Sequence, residues 1–220
     1  MDLPTNTLNE ASPIRSKLVC VALNDRAQFE SLRAQFHRAP HHKPPTQPVL
    51  YYKPRNTWSH DGARVEIPDG KSLVVGASVG VVIGKTCCRV TPEIALDYVG
   101  AYCLVHDFSL PEKSYYRPDI KGKCLDGSAP VGAAKQVDDP SRLSLRLQVN
   151  GEPRAALAVS SLCRGIEELI SQISHIMTLQ AGETIAVGFN GERVALQAGD
   201  EVVTACDGLA TLRNTVGLEQ

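Results

Sequence analysis

Residues 143–149, LSLRLQV, followed by Asn150-Gly151, constrain the fold more than any other part of the chain. Apolar and polar residues alternate strictly here, which is the period of a strand with one face covered. Asn-Gly suits the two positive φ angles of a type I′ turn, so the chain must return as an antiparallel strand. Antiparallel sheet with one buried face is therefore built in.

A second strand, residues 74–85 (VVGASVGVVIGK), has unequal faces. Alternation puts Val75, Ala77, Val79, Val81 and Ile83 on an apolar face and Gly76, Ser78 and Gly80 on the other. Glycine inside a strand weakens it and marks a bulge or a place where something approaches the backbone closely.

Around these, KLVCVAL (residues 17–23) reads as a buried strand, and Asn24-Asp25 can start a helix carrying Phe29, Leu32 and Phe36. Thr91-Pro92-Glu93 is a helix start, with a capping hydroxyl, a first-turn proline and an acid at the positive end. A further helix spans about residues 162–177, with Ile166, Leu169, Ile170, Ile173 and Met177 on one stripe. Two similar stretches, LQAGETIAVG and LQAGDEVVTA, each feed a short strand from a Gly-acid turn and suggest a meander. Strands dominate, so the expected architecture is α+β, mainly β, in one domain (residues 17–220) behind a polar tail (residues 1–16).

Composition removes several function classes. A formal net charge of -1 and 5% aromatic residues give neither a basic field nor a stacking platform, so nucleic acid is not an expected partner. No segment reaches membrane-spanning length, and the polar first residues resemble neither signal peptide nor anchor. Seven cysteines without a C-x-x-C pair read as reduced thiols in a cytoplasmic protein. His37, His41 and His42 invite a metal reading, but Pro40, Pro44 and Pro45 favour an extended, solvated loop. Charged and aromatic residues concentrate at 105–123, VHDFSLPEKSYYRPDIKGK, which reads either as the lining of a polycarboxylate pocket or as a solvated loop with a helical turn.

KPRNT (53–57), VVIGK (81–85), ALDYVGAY (95–102), HDFS (106–109), YYRPDIKGKCLDG (115–127), VNGE and LQAGETI occur in the order found in the fumarylacetoacetate hydrolase family. From Lys17 onward the chain resembles that family. The likeness is greatest to the amino-terminal half or subunit of the isomerase/decarboxylases of homoprotocatechuate (4-hydroxyphenylacetate) breakdown.

The resemblance implies a rolled mixed sheet and an active site with a magnesium or manganese ion held by two glutamates and one aspartate. The glutamate positions correspond to Gly76 and Ser78, and the aspartate to Asp107. Lys123 matches the family's active-site lysine and, with Asp107, is the expected catalytic pair; Tyr116, Arg117 and Lys53 are expected to bind substrate. Gln28 stands where a general-base histidine would be, and Gly188-Phe189-Asn190 replaces a glycine-threonine-proline turn. Also implied are a small polycarboxylate substrate, 5-oxopent-3-ene-1,2,5-tricarboxylate, and decarboxylation with isomerisation of the product. An oligomer is implied too, of this chain alone or with a metal-bearing paralogue, in which this chain is either an enzyme subunit or a metal-free degenerate partner.

Overall fold

A computed structural model describes residues 17–112, 114–115 and 119–219. The chain opens with β1 (Leu18–Ala22), α1 (Arg26–Ser31), α2 (Arg33–Phe36), β2 (Val49–Lys53), β3 (Trp58–His60) and β4 (Arg64–Ile67). Two long strands follow, β5 (Leu73–Ile83) and β6 (Val99–Ser109), then α3 (Ile120–Lys123) and β7 (Ala129–Val131). The remainder is β8 (Ser144–Val149), β9 (Glu152–Ala158), α4 (Ile166–Ile176), β10 (Thr184–Ala186), β11 (Val194–Leu196), β12 (Glu201–Cys206) and β13 (Leu212–Leu218).

The strands form two sheets. The larger runs β2-β1-β10-β5-β6-β7-β3, with β11 sharing the β10 edge of β5, and is mixed because β1–β10 and β3–β7 are parallel. The smaller runs β4-β13-β12-β8-β9 and contains the expected hairpin: Asn150 and Gly151 take φ 54° and 81°. The curled mixed sheet agrees with the expected α+β fold.

Burial follows the faces read from sequence. Val75, Ala77, Val79, Val81 and Ile83 enter the main core between the sheets, where Leu145, Leu147, Leu169, Ile170 and Ile173 join them. At roughly 1.5–3 kcal/mol for each fully buried aliphatic side chain, this cluster is the main stabilising mass. The other face of the large sheet carries a smaller cluster, including Leu18, Cys20, Cys103, Val105 and Phe189. Gly80 belongs to that face, and a Cβ there would meet Cys103 Sγ at 2.7 Å and a Val105 methyl at 2.8 Å.

Several local expectations change. Helix α4 begins at Ile166, because residues 159–161 form a 3-10 turn and Gly165 is the N-cap. Residues 92–98 are 3-10 throughout, and the first helix divides at Leu32, leaving only Phe36 of its apolar residues buried. The two LQAG stretches do not form a meander: β10 lies between β1 and β5 while β12 lies between β13 and β8. The polar tail falls outside the described residues. Of the seven free cysteines, Cys20, Cys87, Cys103 and Cys206 are buried and Cys88 is exposed. His37 and His42 are exposed, while His41 stands edge-on to Phe36.

Candidate active site

Strand alternation sorts the β6 side chains that the HDFS stretch places side by side. His106 points between the two sheets, fully buried, with Nδ1 2.9 Å from Asn214 Oδ1 and Nε2 2.7 Å from Thr204 Oγ1. The Asn214 amide donates to the carbonyls of His60 and Ala63, so its Oδ1 faces the ring as an acceptor. This pattern assigns the histidine proton to Nδ1. Burial pushes the ring down to about 4, so His106 is a neutral core residue and does not line the pocket.

Asp107 points to the opposite face, fully buried and directly across from Gly76 in the β5–β6 register. Lys53 Nζ lies 2.8 Å from its Oδ1; Arg193 Nη2 lies 2.8 Å and Lys123 Nζ 3.4 Å from its Oδ2. The Tyr51 hydroxyl donates to Oδ2 at 2.5 Å. Tyr51 and Lys53, two apart on β2, share one face by alternation. Lys123 closes α3, whose N-terminus is capped by Asp119 accepting from Gly122 N–H. Burial alone would raise the Asp107 carboxyl, but Lys53, then Arg193 and Lys123, outweigh it and hold it well below its ordinary range. Desolvation, and then the Asp107 charge, keep the Tyr51 phenol well above 10.

The three cations are not equivalent. Lys53 is wholly buried and donates to Phe108 O (2.9 Å), Lys123 O (2.8 Å) and Ser128 Oγ (3.0 Å). Its three protons are so placed that it meets Asp107 Oδ1 as a charge, without an aligned hydrogen bond. Among the described residues, Lys123 Nζ has only long contacts: 3.4 Å to Asp107, 3.5 Å to Ser109 Oγ, 3.5 Å to Glu112 and 4.9 Å to the Tyr51 ring centre. Its ammonium can therefore turn toward an incoming acceptor at small cost.

Arg193, just ahead of β11, donates from Nη1 to Asp107 O (3.0 Å) and reaches Tyr51 Oη from Nη2 (3.2 Å). Its Cζ stacks 4.5 Å from the centre of the Phe189 ring. Gly76 makes this possible, since a Cβ there would fall 2.9 Å from Arg193 Cζ and 3.0 Å from its Cδ, and closer still to Nη1. Ser78 accepts from Gly188 N–H (3.4 Å) while donating to Val79 O (2.9 Å), and Asn190 Oδ1 accepts from Ala77 N–H (2.8 Å). The bare face of β5 is thus covered by residues 187–193, which connect β10 to β11 along its edge.

Arg193 opens onto a cleft of about 720 Å³ with Glu112, Tyr115, Gln28 and Gly191 on its walls. Gln28 Nε2 donates to Tyr115 Oη (2.9 Å) and Gly191 O (2.7 Å), tying two walls together. Burial raises the Glu112 carboxyl. Of the residues expected from sequence, Asp107, Lys123 and Lys53 converge; Tyr116 and Arg117 lie outside the described residues. Sequence reasoning missed Arg193, Tyr51 and Glu112. Phe189 was the available signal for Arg193, an aromatic face beside a glycine-bared strand, but their pairing is visible only in three dimensions.

The sequence profile of the fumarylacetoacetate (FAA) hydrolase C-terminal family matches residues 17–217. The chain belongs to this family. Within it, the homoprotocatechuate catabolism bifunctional isomerase/decarboxylase of Escherichia coli is 36% identical over 203 residues, covering 92% of this chain and 48% of that protein. The chain thus spans about half the length of this and other curated isomerase/decarboxylase relatives it matches. The 5-carboxymethyl-2-hydroxymuconate delta-isomerase of Mycobacterium smegmatis superposes with TM-score 0.80 at 25% identity, over 92% of this chain and 77% of that one. A maleylpyruvate hydrolase from Sphingobium, solved with manganese(II) and pyruvate, gives TM-score 0.77 at 25% identity, over 93% and 71%.

The residues of this chain do not fit the family's divalent ion. A hard cation needs several oxygen donors, preferably carboxylates. Asp107 is the sole carboxylate of the three positions, and cations already contact both its oxygens. Gly76 offers no donor, and the Ser78 hydroxyl is engaged by backbone on both sides. Among the described residues no group of three or more His, Cys, Asp or Glu is arranged to hold a metal.

Proposed function

We propose that this chain is a decarboxylase subunit acting on 5-oxopent-3-ene-1,2,5-tricarboxylate in 4-hydroxyphenylacetate catabolism in the cytoplasm, with isomerisation of the dienol product as a second activity. The observation that carries this reading is Lys123, a loosely held ammonium beside a buried, ionised Asp107 and 3.5 Å from Glu112 on the wall of the cleft that Arg193 opens onto. Loss of the carboxyl group on C2 as CO2 sends its bond pair through the C3=C4 double bond to the C5 carbonyl oxygen. The product is a dienolate, and its developing oxyanion needs a preorganised positive donor.

Lys123 supplies that donor by turning from its long contacts to the C5 oxygen, and can pass a proton to it to give the dienol. Asp107 orients Lys123, and the three cations and the phenol around the carboxylate support a role in holding that ammonium in position. Lys53, buried with its protons engaged, acts through Asp107 and is a positioning residue. Arg117 and Tyr116 are kept as substrate-carboxylate contacts on the family likeness alone.

A second reading, a degenerate partner of a metal-bearing paralogue, rests on Gln28: an amide stands where a base would and is engaged by Tyr115 and Gly191. One experiment separates the two. Turnover of the tricarboxylate by the purified chain alone, lost in Lys123→Ala with the fold intact, supports the decarboxylase. Activity only with the paralogue present, indifferent to Lys123→Ala, supports the partner role.

A further inference from the structure

The departures from the family pattern share a single geometric consequence. Removing a side chain at Gly76 opens the volume that the Arg193 guanidinium fills, directly across the β5–β6 pairing from Asp107. The aromatic ring of Phe189, in the altered turn, supplies the face on which that guanidinium stacks. Ser78 and Asn190, in place of a carboxylate and a proline, fasten the arginine-bearing segment to β5 through Gly188 N–H and Ala77 N–H. A simple decay of the site would leave a void or water-filled hollow. Here the changes at Gly76 and Phe189 are matched by contacts to one cation, and Ser78 and Asn190 hold the segment that carries it.

We propose that Arg193 is a built-in cation standing in the place of the family's exchangeable divalent ion, so that the cleft presents a fixed guanidinium to an anionic oxygen. Position, partner and exposure all agree with this. The guanidinium lies 2.8 Å from the retained aspartate, occupies the space above the first lost ligand and remains 16% exposed on the cleft side. Its charge is permanent, and its planar fork can hold Asp107 through one edge while offering remaining N–H groups to a carboxylate or enolate. A metal would have to displace this group from Asp107, Tyr51 and Phe189 and would then find a single carboxylate among the three family ligand positions. This assignment concerns the centre itself and stands whether the chain is the decarboxylase or the degenerate partner.

The test uses Mn²⁺ alone and oxalate alone as probes, with the full chain. Electron paramagnetic resonance of added Mn²⁺ should show no saturable site on the wild type up to millimolar concentration. Gly76→Glu/Ser78→Glu/Arg193→Ala, with a wild-type circular dichroism spectrum, should take up one Mn²⁺ per chain at least 10-fold more tightly. Calorimetric binding of oxalate, a planar mimic of an enolate acid, should be the same with and without EDTA in the wild type and weaken 10-fold or more in Arg193→Gln. Stoichiometric Mn²⁺ on the wild type, or oxalate binding that EDTA abolishes, overturns the proposal even if the triple variant fails to fold. Oxalate binding untouched by Arg193→Gln overturns it as well. Neither probe reads turnover, so failure of the decarboxylase reading would be seen separately.

Discussion

If Gly76 exists to admit Arg193, then Gly76→Ala should be costly only while the arginine is present. The added Cβ would sit 2.9 Å from Arg193 Cζ and 3.0 Å from Cδ, well inside ordinary contact distance. An exposed arginine would swing away almost freely, but this one is held by Asp107, Tyr51 and the Phe189 ring. Overpacking a fixed interior group costs ~1–3 kcal/mol. Against this, replacing a glycine whose backbone is already extended stabilises by ~0.4–1 kcal/mol through the unfolded chain. The net expectation for Gly76→Ala is a loss of about 1–2 kcal/mol in the wild type. In Arg193→Ala the clash is gone, and Gly76→Ala should be neutral or stabilising by up to about 1 kcal/mol. The coupling, ~2 kcal/mol, exceeds the few tenths within which independent sites add. Urea unfolding of the four proteins by circular dichroism measures it, provided the m-values agree. Equal effects of Gly76→Ala in the two backgrounds would refute the link between the glycine and the guanidinium.

Three further outcomes follow from other parts of the molecule. His106 is buried neutral at about 4 and titrates near 6.5 when unfolded, so the unfolded chain binds the extra proton as pH falls between these values; its contribution is fully present above about 6.5 and lost toward 4, by ~3 kcal/mol, and urea stability measured against pH should lose that component in His106→Asn. Burial pushes the Cys20 and Cys103 thiols up to about 12, whereas Cys88 is exposed, so alkylation of the native protein followed by mass spectrometry should label Cys88 and spare the other two until unfolding. Gly151→Ala places a Cβ at φ 81° in the β8–β9 turn and should cost about 1 kcal/mol, read as a fall in melting temperature; an unchanged melting temperature would contradict the type I′ geometry.

What could be read from sequence was whatever depends on neighbours along the chain. The alternation in β8, the Asn-Gly turn and the apolar face of β5 are local periodicities that appear where expected, and the α4 stripe does so from Ile166 to Ile173, with Met177 just past the helix end. The two LQAG strands show the limit: local patterns so alike enter different sheets because hydrogen-bonding partners are chosen by the whole fold. The site divides in the same way. Asp107 and Lys123 were found through family motifs, and their convergence holds. His106, beside Asp107 in sequence, faces the opposite way because alternation separates neighbours. Arg193 was hidden because its significance depends on Gly76, Phe189 and Asp107, which come together only when β10, β5 and β6 are aligned.

The interlock of Gly76 with Arg193 also bears on the history open to this protein. Restoring a glutamate at Gly76 alone drives a side chain into the guanidinium, while losing Arg193 alone leaves Asp107 with fewer partners and no second metal ligand. Either of these single steps toward a metal site therefore disturbs contacts the present centre depends on. The change behaves as a ratchet: a descendant of this chain can drift in specificity around the arginine more readily than it can regain the ion.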